Sequence, residues 1–405
     1  MSPISTFAEP SAHTTVLADR LRDITESATL ALAEQAKALA QAGRPVIDLT
    51  AGEPDFPTPE PIKQAGIEAI RAGKTTYTPV AGIRELRAAV ADSVNRLRGT
   101  SYGPSQVLVT CGTKHALFNV FQALCGPGDE VIVSSPYWVS FPPLVRLSGA
   151  TPVIVPTRES DGFVPDPAAV ERAVSGAARV LLINSPSNPT GAVIGAERLA
   201  ALSRIAAVHR LIVVSDEIYD QLVYPPARHR SIVEVAPELV ERTVIVGGVS
   251  KTYSMTGWRI GYAVGPAPWI EAMTRLQSHS TSNPASISQY AALCALTGDQ
   301  GAVARMREEF QRRRDRLVSG LNGLRPLTCA PPGGAFYAWC NVRGLGQQGS
   351  ATAAQWLEDA LVAVVPGEGF GAPDFVRMSF AAPLSTIDEA LRRLETWLSQ
   401  PRGRR

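Results

Sequence analysis

Lys251 stands in Ser250-Lys251-Thr252-Tyr253-Ser254-Met255-Thr256-Gly257-Trp258-Arg259, after the apolar run 243–246 and two glycines. A lysine amine at the end of a buried strand is a candidate Schiff-base nucleophile. Arg259, eight positions on, offers a planar, permanently charged fork that suits a phosphate. A phosphate-binding P-loop would need glycine directly before the lysine, and Ser250 stands there instead. Two readings remain for this stretch: a solvated loop, or a reactive amine beside a phosphate clamp. The second pairing is what pyridoxal phosphate (PLP) chemistry requires.

The remaining parts of such a site recur at the ends of other apolar runs, where open α/β sheets bind ligands. Asp216 follows the run 211–215. It suits the pyridine nitrogen of PLP, whose protonation makes the ring an electron sink, or else it is a helix N-cap. Tyr219, three positions on, either donates to the ring oxygen or is a core aromatic. Asn188, in Asn184-Ser185-Pro186-Ser187-Asn188-Pro189-Thr190-Gly191, suits the same oxygen or an Asn-Pro turn. Gly112 and Thr113 join a strand to a helix, where backbone N–H groups favour phosphate. Trp138 follows the run 130–134 and either stacks on a cofactor ring or fills the core. Arg377, between apolar neighbours in Phe375-Val376-Arg377-Met378-Ser379-Phe380, needs an anion: a substrate α-carboxylate or a buried protein carboxylate.

No rival set competes. The histidines at 13, 115, 209, 229 and 279 show no metal spacing, and no nucleophile elbow or Gly-x-Gly-x-x-Gly follows a strand. No metal site is expected. Five scattered cysteines, an odd number without zinc spacing, indicate reduced thiols. The chain has 405 residues, 45% hydrophobic, with a formal net charge of +2, which argues against a polyanion-binding surface. Arg402, Arg404 and Arg405 read as a frayed tail. No apolar run reaches membrane-spanning length, and the polar N-terminus lacks a signal-peptide core. The expectation is a cytoplasmic protein with neither membrane nor nucleic-acid partners.

The elements that must position these residues alternate. Strands are expected at 46–49, 106–110, 130–134, 179–184, 211–215 and 243–246, and helices at 16–43, 61–72, 82–98, 114–124, 137–149 and 196–209. Continuous apolar strands indicate a sheet covered on both faces, and the alternation indicates a doubly wound α/β core. A long charged helix over 302–321 reads as a hinge. An α+β remainder carries strands at 335–340, 363–365 and 375–380 and helices near 351–362 and 386–399.

Taken together, the motifs resemble the class I/II aminotransferases of PLP fold type I, and within them the bacterial aspartate aminotransferase branch. The resemblance runs from about residue 21 to 398. Its markers are Ser27-Ala28-Thr29, Leu49-Thr50-Ala51-Gly52-Glu53-Pro54-Asp55-Phe56, Tyr77-Thr78-Pro79-Val80-Ala81-Gly82, Asn188-Pro189-Thr190-Gly191, Ser215-Asp216-Glu217-Ile218-Tyr219, Ser250-Lys251 with Arg259, Gly334-Ala335-Phe336-Tyr337 and Val364-Val365-Pro366-Gly367. It implies a large domain with a mostly parallel seven-stranded sheet over 60–305. The N-terminal arm with part of a small domain falls at 1–59, and the remainder of the small domain at 306–405.

The resemblance also implies roles. Lys251 carries the cofactor and shuttles the α-proton. Asp216 pairs with the pyridine nitrogen, Asn188 and Tyr219 with the ring oxygen, and Trp138 stacks on the ring. Gly112, Thr113 and Arg259 hold the phosphate, with Tyr77 reaching it from the neighbouring subunit of a homodimer. Gly52, Asn188, Arg377 and Trp138 meet the substrate, and Lys114, near Ser27 and Thr29, reaches a distal carboxylate. The implied reaction is a ping-pong transamination between L-aspartate and 2-oxoglutarate. The alternatives are an aromatic, prephenate or pathway-specific aminotransferase, or a PLP-dependent C–S lyase. A PLP-sensing regulator would need a basic DNA-binding module, for which the residues before Leu21 are too few. Two departures from the pattern stand out: Gly248, where many relatives carry serine, and Thr113, where close ones often carry glycine.

Overall fold

The computed structural model describes residues 18–21, 24, 38, 39 and 41–400. Most of the helix expected at 16–43 lies outside these residues, as do Ser27, Thr29 and the C-terminal arginines.

The strands in chain order begin with β1 (Ile47–Asp48), β2 (Val107–Thr110), β3 (Glu130–Ser135), β4 (Thr151–Pro156) and β5 (Ala178–Asn184). They continue with β6 (Ile212–Asp216), β7 (Thr243–Gly248), β8 (Gly261–Val264), β9 (Thr328–Cys329) and β10 (Tyr337–Asn341). β11 (Val362–Ala363), β12 (Val365–Pro366) and β13 (Phe375–Ser379) complete the set. Seven of these form one sheet in the order β2-β8-β7-β6-β5-β3-β4. β8 runs antiparallel to both neighbours, and the other pairings are parallel. The C-terminal ends of β2, β3, β5, β6 and β7 therefore share one edge, where β8 begins. β2 and β6 are buried along their whole length, consistent with β-branched residues packed on both faces. Each buried Val or Ile there contributes roughly 1.5–3 kcal/mol.

Helices cover both faces. On one side Arg84–Arg98, Ala196–Val208 and Ser286–Thr297 contribute to a core with Leu86, Val90, Leu202, Ala206 and Ala291. On the other, Thr113–Leu124, Phe141–Leu147 and Ala267–Ser278 bury Leu117, Phe121, Phe141 and Met273. A third core joins Leu49 to Phe310, Leu317, Trp356, Met378 and Leu394. It includes the antiparallel sheet β12-β13-β10-β9, the parallel pair β1-β11, and the long helix Gly301–Gly323 packed against Leu384–Ser399.

Several sequence expectations are corrected. The helix expected from 137 begins at Phe141, because Tyr137 N–H is drawn to Phe370 O at 3.1 Å. The single strand expected at 363–365 is two short strands, β11 and β12, in different sheets. No helix follows β6. Residues 218–221 form a turn, so Asp216 is not a helix N-cap.

Candidate active site

The predicted residues converge on the shared sheet edge. One cavity of about 530 Å3 is lined by Gly52, Thr113, Lys114, Trp138, Asn188, Asp216, Tyr219, Lys251, Arg259 and Arg377. Thr50, Glu53, Asn184, Thr256 and Tyr337 line it as well, and the sequence reading gave none of these a role. Tyr77 is 91% exposed and does not line it.

Each side chain owes its place to a strand end. Asp216 is the last residue of β6, in register with Asn184, the last of β5. Its buried carboxylate accepts one hydrogen bond, from Ile218 N–H at 3.3 Å. Burial, partly offset by that bond and reinforced by Glu217, raises the carboxyl to about 7. A cationic partner in the cavity would hold it ionised.

Glu217 points the other way. It takes Arg98 at 2.8 Å and accepts from the hydroxyls of Ser215 (2.8 Å) and Ser231 (2.5 Å), which anchor the end of β6 from behind. Despite the cost of burial, Arg98, then His229 at 3.3 Å and the Ser231 hydroxyl, hold its carboxyl far below the usual range.

Lys251 lies three residues beyond β7. Its Nζ donates to Gly52 O at 2.5 Å and sits 5.9 Å from the Phe336 ring centre. Burial lowers the amine to about 8; Glu53 opposes that shift, while Arg377, Arg259 and Lys114 add to it. An amine at that value exchanges protons readily near neutral pH and is partly in its nucleophilic form.

The phosphate corner is shaped by close backbone approach. Gly112 adopts φ +87°, and a Cβ there would lie 2.4 Å from Arg259 Nη2. Arg259 itself is left-handed at φ 58° and donates to Thr256 O (2.9 Å) and Cys111 O (3.3 Å). The helix Thr113–Leu124 opens here, with its N–H groups toward the corner. The two departures in sequence fit one another sterically. A Cβ at Gly248 would stand 2.6 Å from Thr113 Oγ1, which donates to Gly247 O at 3.0 Å.

The opposite side of the cavity holds Arg377, 2% exposed on β13. Its Nη1 donates to Asn188 Oδ1 (3.0 Å) and Nη2 to Thr50 O (2.8 Å), while Nε is buried without a partner. The guanidinium lies 4.4 Å from the Tyr337 ring centre and 5.2 Å from that of Phe370. Burial lowers its proton affinity, and no carboxylate pairs with it among the described residues. The buried protein salt bridge is thereby eliminated, and the free guanidinium edge is open to an external carboxylate.

Lys114 Nζ sits at the rim, 5.0 Å from the Trp138 ring centre; partial burial and then Arg259 lower its proton affinity. Tyr219 Oη meets Tyr337 Oη at 2.9 Å. Gly52, implied as a carboxylate contact, here presents its carbonyl to Lys251. No group of three or more His, Cys, Asp or Glu side chains that could hold a metal occurs among the described residues. No helix there is long and apolar enough to cross a membrane.

This donor set fits PLP. An amine, a buried carboxylate with a single backbone donor, an arginine fork packed on Gly112 and a buried guanidinium with a free Nε gather at one cavity.

Comparison with known proteins agrees. Residues 44–394 match the family described as aminotransferase class I and II. The chain is 47% identical over 387 residues to an aspartate aminotransferase of Geobacillus stearothermophilus, covering 94% of this chain and 98% of that one. It is 46% identical to an aspartate/prephenate aminotransferase of Thermus thermophilus, covering 93% and 97%. A solved structure described as aspartate aminotransferase from Thermus thermophilus with maleate superposes with a TM-score of 0.91 at 46% identity, covering 94% and 99%. Fold, cofactor chemistry and sequence thus converge, and the chain belongs to the class I and II aminotransferases, PLP-dependent enzymes that exchange an amino group between amino acids and 2-oxo acids.

Proposed function

We propose that this aminotransferase moves the amino group of L-aspartate to 2-oxoglutarate by a ping-pong mechanism, and that Lys114 selects the dicarboxylic substrates. The observation that carries this reading is the pair of cations on the cavity wall. Arg377 is buried with its Nε unpartnered and no carboxylate beside it among the described residues, and Lys114 sits at the rim over Trp138. The maleate in the Thermus structure, a dicarboxylate, supports it. The name of the Thermus relative supports prephenate, itself a dicarboxylic keto acid, as a second acceptor.

The residues divide the work as follows. Arg377 and Asn188 grip the α-carboxylate, and Gly52 and Trp138 bound the substrate. Arg259, Gly112 and Thr113 hold the cofactor phosphate. Asn188 and Tyr219 would hold its ring oxygen, and Trp138 would stack on its ring. Bound PLP supplies an electron sink next to the substrate α-carbon. Asp216, as an anion, keeps the pyridine nitrogen protonated. Lys251 Nζ would take and return the α-proton, a transfer suited to an amine near 8.

Tyr77, almost fully exposed in the single chain, is assigned to the phosphate of a second copy, which makes the working unit a homodimer; the protein is assigned to the cytoplasm. The N-terminal arm with part of the small domain is assigned to residues 1–59, the remainder of the small domain to 306–405 and the large domain to 60–305.

Lys114→Ala tests the specificity claim. The kcat/KM for L-aspartate is expected to fall roughly 30-fold or more, the scale of a lost charge-assisted contact, with little change for L-alanine or L-phenylalanine. Equal losses for all three amino acids would remove the dicarboxylate argument.

A further inference from the structure

Tyr337 opens β10 and is 1% exposed. Its hydroxyl lies 2.9 Å from that of Tyr219, with the two rings edge to face at 5.9 Å. Only one proton fits between two hydroxyl oxygens at that distance. Burial holds both phenols above their usual range, so each keeps its proton. The remaining question is which phenol donates to the other. If Tyr219 donates to Tyr337, it has nothing to offer the cavity; if Tyr337 donates, the Tyr219 proton is free.

The surroundings break the symmetry. Arg377 acts on both phenols but more strongly on Tyr337, whose ring centre its guanidinium faces at 4.4 Å, and no carboxylate pairs with it among the described residues. A cation beside a phenol favours its deprotonated form and so makes it the stronger donor. The ring cannot swing away, because Tyr337 is paired to Ser379 in the β10–β13 ladder and its ring meets Phe336 at 4.7 Å.

We propose that Tyr337 is a positioning residue: under the Arg377 cation it donates to Tyr219 Oη and thereby turns the Tyr219 proton into the cavity, toward the cofactor ring oxygen. The proposal rests on the reading of Tyr219 as the ring-oxygen donor. Its effect passes through Tyr219 alone. A Tyr219 that accepts from Tyr337 is also a better donor, because hydrogen bonds in a chain polarise one another. The ring oxygen is then held more firmly in its ionised form, and the Lys251–cofactor chromophore gives up its proton at lower pH.

The test is a spectroscopic titration of the full-length, PLP-loaded protein. The midpoint of the visible absorption change with pH is read for wild type, Tyr337→Phe, Tyr219→Phe and the double variant. Phenylalanine keeps the ring under Arg377 and removes only the hydroxyl. The Tyr337→Phe midpoint is expected to rise by about half a unit to one unit, the scale of one neutral hydrogen bond. The Tyr219→Phe midpoint rises further, and adding Tyr337→Phe to it changes nothing more. An unshifted Tyr337→Phe midpoint, or a shift that persists in full on the Tyr219→Phe background, overturns the proposal. A wild-type midpoint that Tyr219→Phe leaves unmoved overturns instead the assignment of Tyr219 to the ring oxygen, and the proposal with it.

Discussion

Lys251→Ala is expected to lower transamination by at least about 10^4-fold, the upper range for one acid–base group, and to abolish the visible absorption that PLP gains on binding. Two functions are lost together. The amine that joins the cofactor is gone, and so is the base that moves the α-proton. Lys114 is the other lysine on the cavity wall, but it sits at the rim over Trp138, while Lys251 reaches inward to Gly52 O. It therefore offers no substitute placed for the same proton. The cavity retains Asp216, Arg259 and the Gly112 cradle, so the variant should still bind PLP without forming the covalent link. Steady-state rates and an absorbance spectrum of the purified variant check both halves. Residual activity above about one per cent of wild type would contradict the assignment.

Arg377→Lys should be the next most damaging change. The guanidinium is buried, donates to Asn188 Oδ1 and Thr50 O, and keeps its Nε unpaired. A lysine offers a point charge without the fork, so it cannot satisfy those two acceptors and a carboxylate in one plane. Truncating one partner of a buried charge pair costs about 2–5 kcal/mol, or roughly 30- to 4000-fold in kcat/KM at 1.4 kcal/mol per decade. The loss should be similar for aspartate, alanine and phenylalanine, since all present the same α-carboxylate. That uniformity separates Arg377 from Lys114, whose loss is selective. Kinetics on the three amino acids decide it, and a loss confined to aspartate would exchange the two roles.

What the sequence made readable follows a physical rule. Asp216, Asn188, Trp138, Gly112 and Lys251 each follow an apolar, β-branched run, and a polar residue at the end of a buried strand is conspicuous. Arg377 was visible for the converse reason, as a charge inside an apolar strand. The alternative reading of Asp216 as a helix N-cap fails because no helix follows β6; the next residue, Glu217, is held by Arg98, 119 positions away in sequence. Asp216 keeps its place and the chain turns instead.

β4 escaped notice because prolines at 152 and 156 break its pattern and its outer position leaves it half exposed. β8 escaped because it is only four residues long and directly follows the left-handed Arg259 turn region. Tyr337 lay within a recognisable motif, yet its hydroxyl contact with Tyr219 spans 118 positions and leaves no local trace. The fit of Thr113 to Gly248 is of the same kind. Each position reads as a departure alone, and the pair makes sense only where Thr113 Oγ1 occupies the space a side chain at 248 would need.

The most direct test of the proposed reaction is the half-reaction. The PLP-loaded protein is mixed with L-aspartate alone and its absorbance spectrum is followed. Conversion of the visible band to the ultraviolet band of pyridoxamine phosphate, at a rate that depends on aspartate concentration, is the predicted result. A spectrum unchanged by aspartate, in a protein that holds PLP, would contradict the assignment of Arg377 and Lys114 to the two carboxylates of this substrate.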